Sequence, residues 1–297
     1  MRETRPSGSE GGAAQSNALS LPLSYELIWL HALAIGYSPA YLRENADGIR
    51  RDWPRIPLPD SRKALEASAA LGRQVAALLD TEAEVTAVTA GELEPVFRTI
   101  GVLTKVIAAE GGCTTQNEVT AGGGCATQAT QAAQNRQLDP DAGDLDITAG
   151  WGHAGKEGVT MPAKGRMVKR PYDEAEQEAI RNAAEARGLS QRQILDLLGS
   201  GTCDVYLNDK AYWKNVPANV WEYYIGGYQV IKKWLSYREK ELLKRGLTSD
   251  EAREVTGMAR RLTRIVLLQP TLDANYALCA KHAYAWPRAG EPGPKVP

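Results

Sequence analysis

Residues 150–165 read GWGHAGKEGVTMPAKG, a glycine-rich run carrying His153, Lys156 and Lys164. Its spacing nearly reproduces G-x-x-x-x-G-K-[ST], the loop that cradles nucleotide phosphates while a hydroxyl after the lysine reaches magnesium. Here Glu157 follows Lys156, and a carboxylate at that place repels the phosphates it should help to hold. The run keeps what phosphate oxygens favour more generally, cations among glycines that let a backbone come close. From 156 to 170 five basic residues, Lys156, Lys164, Arg166, Lys169 and Arg170, stand against one acid, Glu157. These five are expected to contact phosphates of a polyanion.

Two further clusters have the same character. LNDKAYWKN places Asn208, Lys210 and Lys214 among Tyr212, Trp213 and Asn215. GGYQVIKKWLSYRE sets Gly226 and Gly227 before a helical run whose first turns hold Gln229, Lys232 and Lys233. A helix N-terminus approached by glycines suits phosphate, and amide side chains read base edges. Asn208, Lys210, Lys214, Gln229, Lys232 and Lys233 are therefore candidates for phosphate or base contact, whereas Trp213, Trp221, Tyr223 and Trp234 read as core aromatics. The charge distribution agrees: residues 1–150 carry 12 basic against 19 acidic side chains, and residues 151–297 carry 23 against 17. The second half is the one suited to a polyanion.

Chemistry of other kinds is missing. There is no H-E-x-x-H and no G-x-S-x-G, which removes the common zinc-hydrolase and serine-hydrolase signatures. No two prolines are adjacent, the one phenylalanine is Phe97, and no lysine has an acid two residues before it. Those absences exclude the amino-methyltransferase Pro-Pro motif, the S-adenosylmethionine F-x-G-x-G loop and the usual nuclease core. His31, His153 and His282 are scattered, and Asp139, Asp141, Asp144 and Asp146 lack the spacing of a calcium loop, so they read as a solvated acidic loop. Cys113, Cys125, Cys203 and Cys279 form no C-x-x-C pair and read as reduced thiols. No catalytic, cofactor-binding or metal-binding residue emerges. With no apolar run of membrane length and no leader pattern, the expected address is the cytoplasm.

The elements that would position these clusters follow from periodicity. Residues 1–20 are Gly/Ser/Ala/Glu-rich, with a disordered tail expected. LPLSYELIWLHALA places Tyr25, Ile28, Trp29 and Ala32 at helical spacing, a helix expected to pack through that stripe. RDWPRIPLPD is extended because its prolines forbid a helix. The run from Ser61 to Asp80 predicts a second helix with Leu65, Ala69, Gly72, Val75, Ala76 and Leu79 on one face. Residues 106–140 form a low-complexity insertion. Beyond it LDITAGWG, GVTMP, GRMVKRPY, CDVYLN and NVWEYYIG read as short strands, DEAEQEAIRNAAEARG and SQRQILDLLGSG as helices, the second capped by Ser190. YQVIKKWLSYREKELLKRG reads as one helix stopped by Gly246. Thr248 and Glu251 make a capping box for a last helix that ends before Pro270.

On these residues the chain resembles a known family. RDWPRIPLPD, DITAGWGHAGKEGVTMPAKGRMVKRPY, DVYLNDKAYWKNVPANVWEYYIGGYQVIKKWLSYRE and LTSDEA…TLDANY are similar to the C-terminal target-recognition region of type ISP restriction-modification enzymes, fused adenine-specific DNA methyltransferase-endonucleases. The resemblance runs from about Ser24 to Tyr276, interrupted by 106–140. It implies an α+β fold, with a helical N-terminal connector (21–105) that would pack on a methyltransferase domain. A mixed strand and helix DNA target-recognition domain (141–288) and a short tail (289–297) would follow. It implies double-stranded DNA as partner, in phage defence, with adenine-N6 methylation and cleavage performed by a methyltransferase and helicase-nuclease. S-adenosylmethionine, ATP and Mg would belong to those domains. Read this way the chain is a split subunit, a fragment of a longer reading frame or a relic; its rival is part of an adenine methyltransferase completed in trans.

Overall fold

Leu23–Gly36 forms helix α1, and the face it buries is not the aromatic stripe. In the computed structural model, which describes residues 23–106, 138–156 and 159–286, Leu30, His31, Ala34 and Ile35 are buried while Tyr25, Ile28 and Trp29 are exposed. The helix is apolar nearly all round, so periodicity does not select a face; its neighbour does. That neighbour is α4 (Arg62–Leu79), which buries Ser68, Ala69, Gly72, Val75 and Leu78, close to the expected stripe. Gly72 sets the approach, since a Cβ there would lie 1.8 Å from the Leu30 carbonyl oxygen. His31 sits in the seam, Nδ1 2.7 Å from the Ser68 hydroxyl and Nε2 3.1 Å from the Pro57 carbonyl. The expected tails and the segment 107–137, with Cys113 and Cys125, lie outside the described residues.

Between α1 and α4 come α2 (Pro39–Glu44), α3 (Ala46–Arg51) and the extended proline run. Pro59 bridges to Ala283, and the Tyr284 N–H donates to the Leu58 carbonyl at 2.7 Å. The short α5 (Pro95–Thr99) leads into β1 (Val102–Lys105). β1 joins a four-stranded antiparallel sheet in the order β1-β6-β5-β4, where β4 is Met167–Arg170, β5 Thr202–Tyr206 and β6 Ala211–Pro217. Residues assigned to the connector therefore supply an edge strand of the recognition sheet, and one apolar core runs from Ala34 to Leu272. The fold is α+β. β6, an inner strand, grows out of the cluster that held candidate phosphate or base contacts. It carries a bulge at Asn215, whose φ is 59° and whose N–H donates to Asp204 at 3.0 Å.

Helices α6 (Glu174–Ala186) and α7 (Gln191–Leu198) begin with capping boxes at Asp173 and Ser190. The expected strand NVWEYYIG is mostly something else: Ala218–Trp221 is the short helix α8, and only Tyr224–Ile225 forms strand β7. LDITAGWG likewise contributes only the start of a strand, its Ile147 buried in an irregular segment. The run after Gly227 is not one helix. Tyr228–Gln229 is strand β8, α9 spans Val230–Ser236, and α10 spans Lys240–Leu243, ended by Lys244 in the left-handed region (φ 62°).

α11 (Ser249–Lys281) opens on the Thr248 and Glu251 capping box and runs through Pro270 instead of stopping there. A proline inside a helix costs about 3 kcal/mol through a lost hydrogen bond and a clash. Tertiary contacts beyond it offset that cost. Leu272 and Cys279 are buried, Asp273 accepts the Ser38 hydroxyl at 2.6 Å and the Ala40 N–H at 2.9 Å, and the Asn275 amide donates to Ser68 at 2.9 Å. Among the described residues no helix is long and apolar enough to cross a membrane.

Candidate nucleic-acid interface

Two short strands of the glycine-rich run pair with each other. β2 (Gly152–Ala154) pairs antiparallel with β3 (Thr160–Pro162), with His153 opposite Met161. Its base is fastened at several points. Trp151 is fully buried, donates Nε1–H to the Tyr206 carbonyl at 2.8 Å and meets the Trp221 ring edge-on at 5.3 Å. Gly165 must be glycine, because a Cβ would fall 1.9 Å from the Trp151 ring at a φ of 68°. Gly152 passes so close to α9 that a Cβ would lie 2.0 Å from the Ser236 carbonyl.

The backbone N–H of Trp151 donates to the buried carboxylate of Glu239. Burial pushes the Glu239 pKa up, against the N–H groups of Trp151, Gly150 and Gly152, which favour the charged form. The donors that a nucleotide loop would turn toward phosphate thus face a carboxylate of the same chain. What the hairpin leaves outward is Lys156, Val159, Met161 and Lys164, all exposed.

A second hairpin stands beside it. β7 and β8 pair Tyr224 with Gln229 and Ile225 with Tyr228 around Gly226 and Gly227, and α9 packs against both hairpins. Lys233 of α9 lies over two rings, its Nζ 4.6 Å from the centroids of both Tyr228 and Tyr237. Lys232 is half-buried beside it and Gln229 donates its amide to the Trp221 carbonyl at 2.6 Å. The Gln229 amide N–H is therefore spent on the fold.

Four other candidates have partners within the fold. Arg170 donates all five guanidinium N–H groups: to Asp204 at 2.7 and 3.0 Å, to Glu176 at 2.7 and 2.8 Å, and to the Pro171 carbonyl at 3.1 Å. Burial opposes its charge, but the two carboxylates outweigh burial and hold the pKa above its ordinary value. Lys214 pairs with Asp173 at 2.8 Å, and burial is again outweighed, so its pKa also rises. Asn208, nearly buried, donates to the carbonyls of Asp144 and Asp146 and accepts the N–H groups of Lys210 and Ala211. Lys210 donates to the Ala142 carbonyl at 2.5 Å. These side chains build the sheet and its turns.

The acidic loop is correspondingly less solvated than its composition suggests. Asp144 is buried and paired with Lys105 at 2.7 Å; burial raises its pKa, but the Asp139 N–H and Lys105 outweigh that and keep it below the ordinary value. Asp146 pairs with Lys240 at 2.6 Å. Cys203 is buried and its thiol is pushed up to about 11 by burial.

The structure leaves Lys156, Lys164, Arg166 and Lys169 exposed along the hairpin and the edge strand β4 that follows it. Arg166 pairs with the exposed Asp209 and stacks 4.2 Å over Tyr206, which in turn stacks on Tyr212 at 5.1 Å. Exposed Val168 lies between Arg166 and Lys169. Sequence reasoning missed Tyr228 and Tyr237 as the faces flanking Lys233 and Glu239 as the hairpin's anchor. A usable signal was the run 223–238, which holds Lys232, Lys233 and Arg238 and no acid. No curated protein and no solved structure matches the chain. Residues 150–265, which contain both hairpins, α9 and three of the four sheet strands, match the family model of the type ISP C-terminal specificity domain, which supports a type ISP target-recognition region in this part of the chain.

Proposed function

We propose that the protein recognises a duplex DNA sequence for a type ISP restriction-modification system, with Lys156, Lys164, Lys169 and Arg166 on phosphates and Lys232 and Lys233 on phosphates or base edges. The observation that carries the reading is the coincidence of the family match at 150–265 with exposed cations on the β2–β3 hairpin and β4, continued by the half-buried Lys232 and Lys233 of α9. Phosphate contacts fix register and base contacts specify, and a rigidly anchored hairpin is suited to the first task. Adenine-N6 methylation and cleavage belong, in this reading, to catalytic domains outside this chain, together with S-adenosylmethionine, ATP and Mg.

A split adenine-specific methyltransferase completed in trans is the second reading, favoured by α1. Tyr25, Ile28 and Trp29 are 61, 48 and 67% exposed on one helix, a face with the character of a protein contact. In either reading this face docks a methyltransferase domain, and the protein works in the cytoplasm.

The test is binding of the full chain to random-sequence duplex DNA across a salt series. Affinity falling steeply with salt supports phosphate tracking. No binding at low salt overturns the reading for the chain alone and favours a relic or a strictly partner-dependent module, which co-purification with a methyltransferase polypeptide separates.

A further inference from the structure

We propose that the β7–β8 hairpin is a wedge that enters the minor groove of duplex DNA and parts a base step. The inference rests on the DNA-binding reading above and specifies what the bound duplex undergoes. Gly226 and Gly227 both have positive φ, 57° and 84°, the signature of a two-residue type I′ turn whose twist matches its strands. The tip is consequently narrow. A Cβ added at either glycine would meet nothing within 4 Å, so the tip stands clear of the rest of the protein.

The side chains flanking that tip are apolar and uncovered. Ile225 and Tyr228 face each other directly across the two strands and therefore share one face. They are 39 and 58% exposed, and Tyr237 beside them is 46% exposed. Behind them Lys233 sits between the Tyr228 and Tyr237 rings. An apolar tip could instead seat in a pocket of another protein. Lys232 and Lys233, for which the described residues show no carboxylate partner, favour a polyanion, whereas Arg238 is turned to Glu254 at 4.0 Å. The tip itself offers glycines and no amide or charged side chain, so it has nothing with which to read base edges in the major groove. A wedge of an isoleucine and a tyrosine side chain backed by lysines is suited to unstack a step from the minor groove and bend the duplex.

The experiment uses the full chain and duplexes that the wild-type chain itself recovers from a random pool. Each carries a fluorophore pair at its ends and 2-aminopurine moved step by step along the site. Binding of wild type is expected to shorten the end-to-end distance and to raise 2-aminopurine emission several-fold at one step. A variant with Ile225→Ser and Tyr228→Ser, both exposed, is expected to keep its melting curve and its salt slope. It should bind about tenfold more weakly, without the bend or the emission change. A bound duplex that stays straight and stacked with wild type overturns the wedge and leaves DNA recognition standing. So does a double variant that bends DNA as wild type does. Failure of wild type to recover any duplex overturns the DNA reading and the wedge with it.

Discussion

The carboxylate of Glu239 accepts the backbone N–H of Trp151 across 88 residues of sequence, joining the break between α9 and α10 to the root of the β2–β3 hairpin. A buried acceptor that serves a backbone donor holds a turn in one conformation, because the donor would otherwise be orphaned. The hairpin's outward lysines are thus carried on a base fixed from inside the fold.

Glu239→Ala should strip that base of its acceptor. The expected loss is about 1–3 kcal/mol of stability, the cost of leaving a buried N–H unpaired, read from urea melts followed by tryptophan emission. Glu239→Gln retains one carbonyl acceptor and should recover part of the loss. Wild-type stability in the alanine variant would show that the hairpin holds itself.

Arg170→Met should be among the most damaging single changes in the recognition region. It leaves Asp204, 8% exposed, without its cation and Glu176, 3% exposed, with only Lys214 at 3.9 Å, and breaking such a pair costs about 3–5 kcal/mol. Arg170→Lys should not rescue, because an ammonium cannot form the two bidentate contacts. If Arg170→Met instead retained its melting temperature and lost only DNA affinity, a phosphate role would be restored to this residue.

Acid should weaken the fold through Glu251 and His31, beside the depressed carboxylates of Asp144 and Asp173. Glu251 is held at about 2 by the Arg245 guanidinium, against a smaller opposing effect of burial, and by its capping contacts with Thr248. A depressed carboxylate contributes stability above its unfolded value near 4.5, and that contribution is lost as pH falls toward 2. His31 is held below 6.5 by burial, partly opposed by the Pro57 carbonyl; its contribution is present above 6.5 and declines as pH drops below that value. Melting temperatures between pH 7 and pH 2 should show both declines, and Arg245→Ala should flatten the lower one.

Lys156→Ala, Lys164→Ala and Lys169→Ala should each reduce the slope of log affinity against log salt by about 1, with stability unchanged because all three side chains are exposed. The same change at Lys214, paired with Asp173, should leave the slope intact. A slope unaffected by all three lysines would move the phosphate-tracking face elsewhere.

Much of this architecture was legible in residue order, and the failures have physical causes. Caps depend on near neighbours, so Thr248 with Glu251 and Ser190 were readable; so was the hairpin written in GWGHAGKEGVTMPAKG. Tertiary partners were not. Pro270 looked like a helix end because its local cost is visible in sequence, whereas the Asp273 contacts with Ser38 and Ala40 that offset it join positions 235 and 233 residues apart. α1 presented a stripe through Tyr25 and Trp29, yet Gly72 on α4 selected the side bearing Leu30. Arg170, Lys214 and Asn208 looked like ligand contacts because charge and amide content say nothing about whether Glu176, Asp173 or the turn carbonyls will claim them first.

The uninterrupted course of α11 has a mechanical consequence. Thirty-three residues at 1.5 Å each make a rod of about 50 Å, packed at one end on α1 and α2 and at the other on the sheet and α9. Such a rod acts as a gauge block: it sets the spacing and the angle between the exposed α1 face and the two hairpins. One residue inserted after Pro270 would advance the far end by about 1.5 Å and turn it by about 100°. A protein clamped at α1 and a duplex clamped at the hairpins would then be out of phase, although neither contact surface had changed.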